Sequence, residues 1–343
     1  MLELKNLIEY VRVPILLFDR SLTLVALNED AKALMPEVPN NSAAEVIFNS
    51  KKIASEVLQC LNTGRTSTPY IKFKTLEGGD LALKMACFES EVSQLAVVTL
   101  TDLTPISDAK AMTRDFVANV SHEIRSPLTS ISGFIETLQG PAGDDLSKRI
   151  KFLNIMDKET QRMKNLVSDL LSLSLAEAKQ KQRIIGSLNV KLIAKEALEA
   201  TEELARKNKK TVILRVNSKI PIVNGDSDNI RQVFINLLEN SINYSFVDST
   251  INIDIDSFES LTDFPKHCVR IRIKDESDGI PESQLHRLTE RFYRIDKSRS
   301  RNVGGTGLGL AIVKHILLRH EGDLIINSTV GEGSTFDVFL PID

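Results

Sequence analysis

The sequence predicts a multidomain α+β protein, and three observations carry that prediction. Apolar runs with strand-like alternation fill the first hundred or so residues, long helical repeats follow, and mixed strand and helix patterns return after Gly186. The expected division is 1–105, a small α/β domain; 106–184, a helical hairpin; and 185–343, a layered domain with helices on one face of a mixed sheet. With 343 residues, 42% of them hydrophobic, the chain has material for two or three real cores.

Charge excludes some partners. Acidic residues number 46 and basic residues 43, so no global field suits gripping nucleic acid or an anionic membrane surface. Cys60, Cys87 and Cys268 form no CxxC pair and are odd in number, which argues against a disulfide framework or a zinc knot and for a reducing compartment. No apolar run of about 18 residues occurs, and MLELKNLIEY lacks the layout of a signal peptide. The chain as given is expected to be cytoplasmic, with membrane association only through a segment outside it.

The first domain opens with helical spacing over residues 2–12, before Pro14. ILLFD (15–19) and LTLVALN (22–28) read as a β-hairpin turning at Arg20 and Ser21. Asn28 is placed to cap a short helix running to Met35, and KKIASEVLQCLN (51–62) is a helix closed by Gly64. YIKFKT, DLALKMACF and LAVVTLTDL are three further strands, with Gly78 and Gly79 turning between the first two. Two strands, short helices and three strands in this order look like a PAS sensor domain. No histidine precedes His122, so a haem on a proximal His is not available, and protein contact or small-ligand sensing is the expected role.

Pro105 marks a short break, after which helix-compatible residues run into FVANVSHEIRSPLTSISGFIETL (116–138). Val117, Val120, Ile124, Leu128, Ile131, Ile135 and Leu138 form one apolar stripe at about 100° per residue. His122 falls roughly 160° from its middle, turned away from whatever the stripe buries. QGPAGDD ends this helix and offers Asp144 or Asp145 as a cap for the next, in which Leu146, Ile150, Leu153, Met156, Met163, Val167 and Leu170 keep a near-heptad repeat. Two such narrow seams make a stable core when a second copy completes a four-helix bundle, so a homodimer is expected.

Beyond the run Lys179 to Arg183, a helix (189–208), the strand TVILRV, a short strand near Ile222 and the helix 228–245 are expected. INIDIDSF and CVRIRIKDE alternate as strands joined by a loop through Pro265, and a helix from about Leu308 to His320 precedes the strands LIINS and TFDVFLP. Asn236 and Asn240 lie one turn apart with both amides on one side, where their oxygens suit Mg²⁺. Asp275 ends a strand, where a buried carboxylate can accept from an exocyclic amine such as that of adenine. GGTGLGL (304–310) runs directly into an apolar helix, so its backbone can approach phosphate oxygens at a helix N-terminus. The Lys-Ser/Thr ending of a Walker A loop is absent, and so is the GxGxxG spacing of a dinucleotide fold.

In this order the segments resemble the bacterial two-component sensor histidine kinases, over about residues 110–343. SHEIRSP matches the phospho-acceptor box, NLLENSINYS the N box, DESDGIPE the first glycine box, RFYRIDKSRSR the F box and GGTGLGLAIVKHI the second glycine box. The spellings are most similar to phosphate-regulon sensor kinases. The resemblance implies a dimerisation and phosphotransfer hairpin, a GHKL-type ATP-binding domain, and a response regulator receiver domain as partner. It makes His122 the nucleophile toward ATP, with Glu123 orienting the imidazole or accepting its proton, and Ser126 positioning water when the partner is dephosphorylated. Asn240 would hold Mg²⁺ beside Asn236, Asp275 would read adenine, and Tyr244 would line the pocket. Gly279, Gly305, Gly307 and Gly309, with Leu308 among them, would shape the pocket and lid. Arg291 or Arg294 would stabilise charge during transfer. Pro127, by removing a backbone donor, is expected to loosen the helix just after the histidine.

Two positions depart from the family pattern. Ser277 stands where the first glycine box has its first glycine, and if that site requires a positive φ, serine costs on the order of 1 kcal/mol or reshapes the loop. Asn243 stands where many relatives have Lys. The alternatives are a degenerate kinase acting as phosphatase or scaffold, and a GHKL-type ATPase.

Overall fold

The computed structural model describes residues 2–39, 41–64, 71–75, 79–89, 94–178, 186–216, 219–260, 262, 264, 266–295 and 305–342. Gly78, the 179–183 run, Pro265, residues 296–301 of the F box and Gly304 lie outside the described residues. The chain divides into two compact units, Met1–Val117 and Ala118–Asp343.

The first unit is built on a five-stranded antiparallel sheet in the order β2-β1-β5-β4-β3, with β1 at Ile15–Phe18, β2 at Leu24–Leu27, β3 at Ile71–Lys74, β4 at Asp80–Glu89 and β5 at Gln94–Asp102. Alternation along β1 separates two layers. Leu16 and Phe18 face a core shared with α2 (Glu29–Leu34), α3 (Ala44–Phe48) and α4 (Lys51–Thr63), while Ile15 and Leu17 pack on the other side against Ile8 of α1 (Leu2–Glu9). Gly64 ends α4 at φ 66°, a left-handed C-cap as its position in the sequence requires. Asn28 does more than cap. Its Oδ1 accepts from Ala31 N–H and Ile15 N–H, and its Nδ2 donates to the carbonyls of Ile8, Val11 and Val13. That grip turns the chain after Glu9, which is why α1 stops three residues short of the expected span.

Helix α5 runs unbroken from Thr104 to Gln139, and the boundary between the units falls within it. Pro127 sits inside this helix and is buried there, so the expected loosening takes no visible form as a break. A 3₁₀ turn at Pro141–Gly143 reverses the chain, and Asp145 Oδ1 accepts from the N–H groups of Ser147 and Lys148 to start α6, Leu146–Ala178. Phe134 and Phe152 stack across the hairpin at 5.1 Å between centroids. Leu128, Ile135, Leu146, Ile150 and Leu153 remain exposed along it.

The rest of the second unit is a five-stranded mixed sheet in the order β11-β12-β10-β9-β7, whose strands are β7 Thr211–Val216, β9 Thr250–Phe258, β10 Cys268–Lys274, β11 Asp323–Thr329 and β12 Gly333–Pro341. Among the described residues only β7 and β9 pair in parallel; β6 (Ser187–Leu188) and β8 (Val223–Asn224) form a separate two-stranded ribbon. Helices α7 (Val190–Lys207), α8 (Ser227–Tyr244) and α10 (Gly309–Arg319) bury one face, where Ile251, Ile253, Ile255, Val269, Ile271 and Ile273 are enclosed; a short α9 spans Glu282–Leu285. The opposite face is tied by charge, with Arg272 held by both oxygens of Asp337 at 2.7 and 2.9 Å. Its α6 also packs along α10, burying Leu166, Leu173 and Ala176.

Candidate functional site

Most of the expected nucleotide residues meet in one cavity of about 940 Å³ in the second unit. Helix α8 contributes Asn236, Asn240, Asn243 and Tyr244, the loop after β10 contributes Asp275, Ser277 and Gly279, and the segment leading into α10 contributes Gly305, Thr306, Gly307 and Gly309. Arg294 lines the same space, and Asn165, Ser168, Asp169 and Ser172 of α6 form a further wall. Helical spacing explains the α8 side: Val233, Phe234, Leu237 and Leu238 are buried in the core, so Asn236 and Asn240 face outward from it.

Asp275 is 3% exposed, and burial pushes its carboxyl above the ordinary carboxylate range. The Ser277 hydroxyl, the Ser334 N–H at 3.1 Å and the Ser241 hydroxyl at 3.5 Å bond to it and oppose that shift. The outcome is an oriented, buried acceptor at the cavity wall. Ser277 corrects the sequence expectation: it is not among the residues with positive φ, so the strain expected of serine there does not arise, and its side chain serves Asp275. Gly279 carries the requirement instead, at φ 70°, where a Cβ would lie 2.1 Å from the Thr329 carbonyl oxygen. Gly307 is also left-handed, at φ 76°, and its carbonyl accepts from Phe292 N–H at 2.8 Å.

The N-cap of α10, Leu308, makes no side-chain cap bond, its own N–H donates to Thr306 Oγ1 at 3.2 Å, and Gly309 and Leu310 of the first turn line the cavity. Asn236 Nδ2 donates to the Gly309 carbonyl at 3.2 Å, fixing α8 against this terminus. Leu308 is fully buried and is not part of the cavity lining, so its side chain packs in the core. Arg291 also lies off the cavity wall and bonds Glu177 of α6 at 2.6 Å.

His122, Glu123 and Ser126 are not part of the cavity lining. His122 is exposed on α5, as its place opposite the apolar stripe requires, and Ser126 is exposed one turn on. Glu123 is engaged: its Oε2 lies 2.7 Å from Arg162 Nη2 and 3.6 Å from Arg294 Nη2. Arg294 in turn donates to the Gly305 carbonyl, so it bridges the histidine helix and the glycine segment. Sequence reasoning did not single out Arg162, Asp169, Ser241, Thr306 or Ser334. Thr306 lay in plain view between two glycines, whereas the others come from positions that only folding brings together.

This geometry defines a phospho-acceptor-type hairpin joined to an ATPase-type domain. Residues 112–179 match the family model of the His Kinase A phospho-acceptor domain, and residues 225–343 match that of the histidine kinase-, DNA gyrase B- and HSP90-like ATPases. The chain belongs to the sensor histidine kinase family. It is 35% identical over 250 residues to a sensor protein kinase WalK of Staphylococcus aureus, covering 72% of this chain and 58% of that protein. A WalK of Staphylococcus saprophyticus is 34% identical over 247 residues, 72% of this chain and 39% of its own length. The chain thus spans between about two fifths and three fifths of these relatives. They are WalK kinases, so the phosphate-regulon kinship expected from the motif spellings is not supported. The histidine kinase ThkA, solved in complex with the response regulator protein TrrA, shares the fold at a TM-score of 0.55 and 19% identity, with 98% of each chain covered. Among the described residues no helix is long and apolar enough to cross a membrane.

Proposed function

We propose that this chain phosphorylates itself on His122 with ATP and passes the phosphoryl group to an aspartate of a response regulator receiver domain. The observation that carries the reading is Arg294, which lines the cavity gathering Asn236, Asn240, Tyr244 and Asp275 and also approaches Glu123, the neighbour of His122. In the transfer, an imidazole nitrogen of His122 attacks the γ-phosphorus, the bond to the β,γ-bridging oxygen breaks, ADP leaves, and the imidazole proton passes to Glu123 or water. Asp275 accepts from the adenine amine, and the α10 N-terminus with Gly305, Gly307 and Gly309 cradles the phosphates. Asn240 would hold Mg²⁺ through its neutral amide oxygen, and the cation would offset phosphate charge. Of the two arginines expected to stabilise transferred charge, Arg294 is the one on the cavity wall, and it takes that role.

Ser126, exposed one turn beyond His122, would position water for dephosphorylating the partner. The apolar residues left open on α5 and α6 support a homodimer closed through a four-helix bundle. The first unit's strand order and its helical layer support a PAS-like sensor domain over residues 1–105, followed by the phosphotransfer hairpin to 184 and the catalytic domain to 343. A receiver domain as partner is further supported by the complex in which ThkA was solved.

The test is incubation with γ-labelled ATP and Mg²⁺. Wild type should acquire acid-labile, base-stable label, and His122→Ala should acquire none while still binding nucleotide. ATP turnover without labelled protein would favour an ATPase, and label retained in His122→Ala would refute the assignment of the nucleophile.

A further inference from the structure

Three carboxylates of the hairpin bind donors of the ATP-binding domain, and two of those donors, Thr306 and Arg294, line the cavity. Asp169 Oδ2 accepts from Thr306 Oγ1 at 2.6 Å, inside the glycine segment. Glu177 Oε1 accepts from Arg291 Nη2 at 2.6 Å and lies 3.4 Å from His315 Nε2 on α10. Glu123 Oε2 lies 3.6 Å from Arg294 Nη2, and Arg294 is the cavity-lining guanidinium next to Gly305. Each contact joins a hairpin anion to a donor of the ATP-binding domain, within a single compact unit.

Charge inside the cavity points the same way. Asp169 and Glu239 both face it, and the Asp169 charge adds to desolvation in raising the Glu239 carboxyl above its ordinary range. Arg231, the other guanidinium on the wall, is already held by Asp228 at 2.7 Å. An entering triphosphate therefore meets like charge from α6 and finds Arg294 shared with Glu123. Anion would have to displace anion.

We propose that Asp169 and Glu177 are positioning residues that hold the hairpin on the ATP-binding domain, Asp169 standing in for phosphate at Thr306 and Glu177 anchoring the hairpin through Arg291 outside the cavity, so that hairpin docking and nucleotide binding compete. The proposal rests on the nucleotide reading of the cavity. Binding Mg·ATP takes Thr306 from Asp169, and the loss of that contact loosens the hairpin from the ATP-binding domain. Across the population, apparent nucleotide affinity is then the open-state affinity multiplied by the fraction of molecules whose site is open.

The experiment uses the full chain, with Mg²⁺ and a non-hydrolysable ATP analogue titrated by calorimetry, and the KM for ATP measured in autophosphorylation. Glu177→Gln and Asp169→Asn each remove a charge while keeping shape. Each is expected to tighten the analogue's Kd about threefold to tenfold and lower KM in proportion, the double variant more than either. Glu177→Asp, which keeps the carboxylate, should stay near wild type. Simple structural damage would weaken binding, so a tightening separates the two explanations. Binding by wild type that the two neutral variants leave unchanged or weaken, with circular dichroism showing them folded, would overturn the competition. Absence of analogue binding in wild type and every variant would overturn the nucleotide reading itself, and the proposal with it.

Discussion

Arg162 Nη2 donates to Glu123 Oε2 at 2.7 Å across the hairpin, so the residue that follows His122 is fixed by the facing helix. Both side chains are largely withdrawn from water, at 13% and 26% exposure, which lifts this pair above an ordinary surface bridge. Truncating Arg162 leaves a half-buried carboxylate with one guanidinium fewer. Arg162→Ala should lower the stability of the second unit by about 1–2 kcal/mol, read as a shift in the urea midpoint. Arg162→Lys should recover only part of that, because a lysine lacks the planar fork. A midpoint unmoved by Arg162→Ala would show that the contact adds nothing.

Ser277 gives a prediction opposite to the one its position in the motif invites. Restoring glycine there should not improve nucleotide binding, because the backbone has no left-handed strain to relieve and Asp275 would lose a hydroxyl donor. Ser277→Gly and Ser277→Ala should both weaken binding of the ATP analogue by roughly fivefold, the worth of about one buried hydrogen bond. Tighter binding by Ser277→Gly would mean that the loop is strained after all.

Much of this was legible from local pattern, and the limits are physical. The α8 spacing placed Asn236 and Asn240 together because helix period is a property of the sequence itself, and Gly64 announced the end of α4 for the same kind of reason. The cross-contacts were not legible. Asp169 and Thr306 are 137 residues apart and Arg291 and Glu177 are 114 apart, and no periodicity links such pairs. Asn28 reads as a helix cap in sequence, yet its amide also closes three carbonyls of the preceding turn, a use that only the folded backbone creates. Leu308 and Arg291 stand inside family motifs but off the cavity wall, since motif membership does not say which way a side chain turns.

The apolar seam of the hairpin predicts its own disruption. Ile150 on α6 is 51% exposed, among neighbours Leu146 and Leu153 that are likewise open. In a four-helix bundle such positions face the second copy. Ile150→Glu places a charge in that interface and should convert the dimer to a monomer by sedimentation equilibrium, while leaving the analogue's Kd within about twofold because the cavity is lined by other residues. A wild-type mass for the variant would remove this face from the interface.

His320 ties stability to pH through a fixed tautomer. It is 5% exposed, its Nδ1 lies 2.7 Å from the Ile316 carbonyl oxygen, and its Nε2 lies 3.0 Å from the Asp226 N–H. An amide N–H only donates, so Nε2 must be the acceptor and Nδ1 must carry the proton. Protonating Nε2 would set two donors against each other in a dry site. Burial accordingly lowers the pKa from the ordinary 6.5, with the Ile316 bond opposing the shift and the Arg319 charge adding to it. Below that ordinary value the unfolded chain binds a proton that the folded chain refuses, so this group's contribution is present above it and falls away as pH drops toward the depressed folded value. The urea midpoint of the second unit should therefore decline as pH falls through and below the ordinary 6.5. His320→Gln should be less stable above that value and show a shallower decline, with His315, also lowered by burial, leaving a residual slope. The consequence reaches the site, because Asp226 caps α8, the helix that carries Asn236 and Asn240. Acid that loosens His320 should weaken nucleotide binding over the same pH interval, and binding unaffected there while stability falls would uncouple the two.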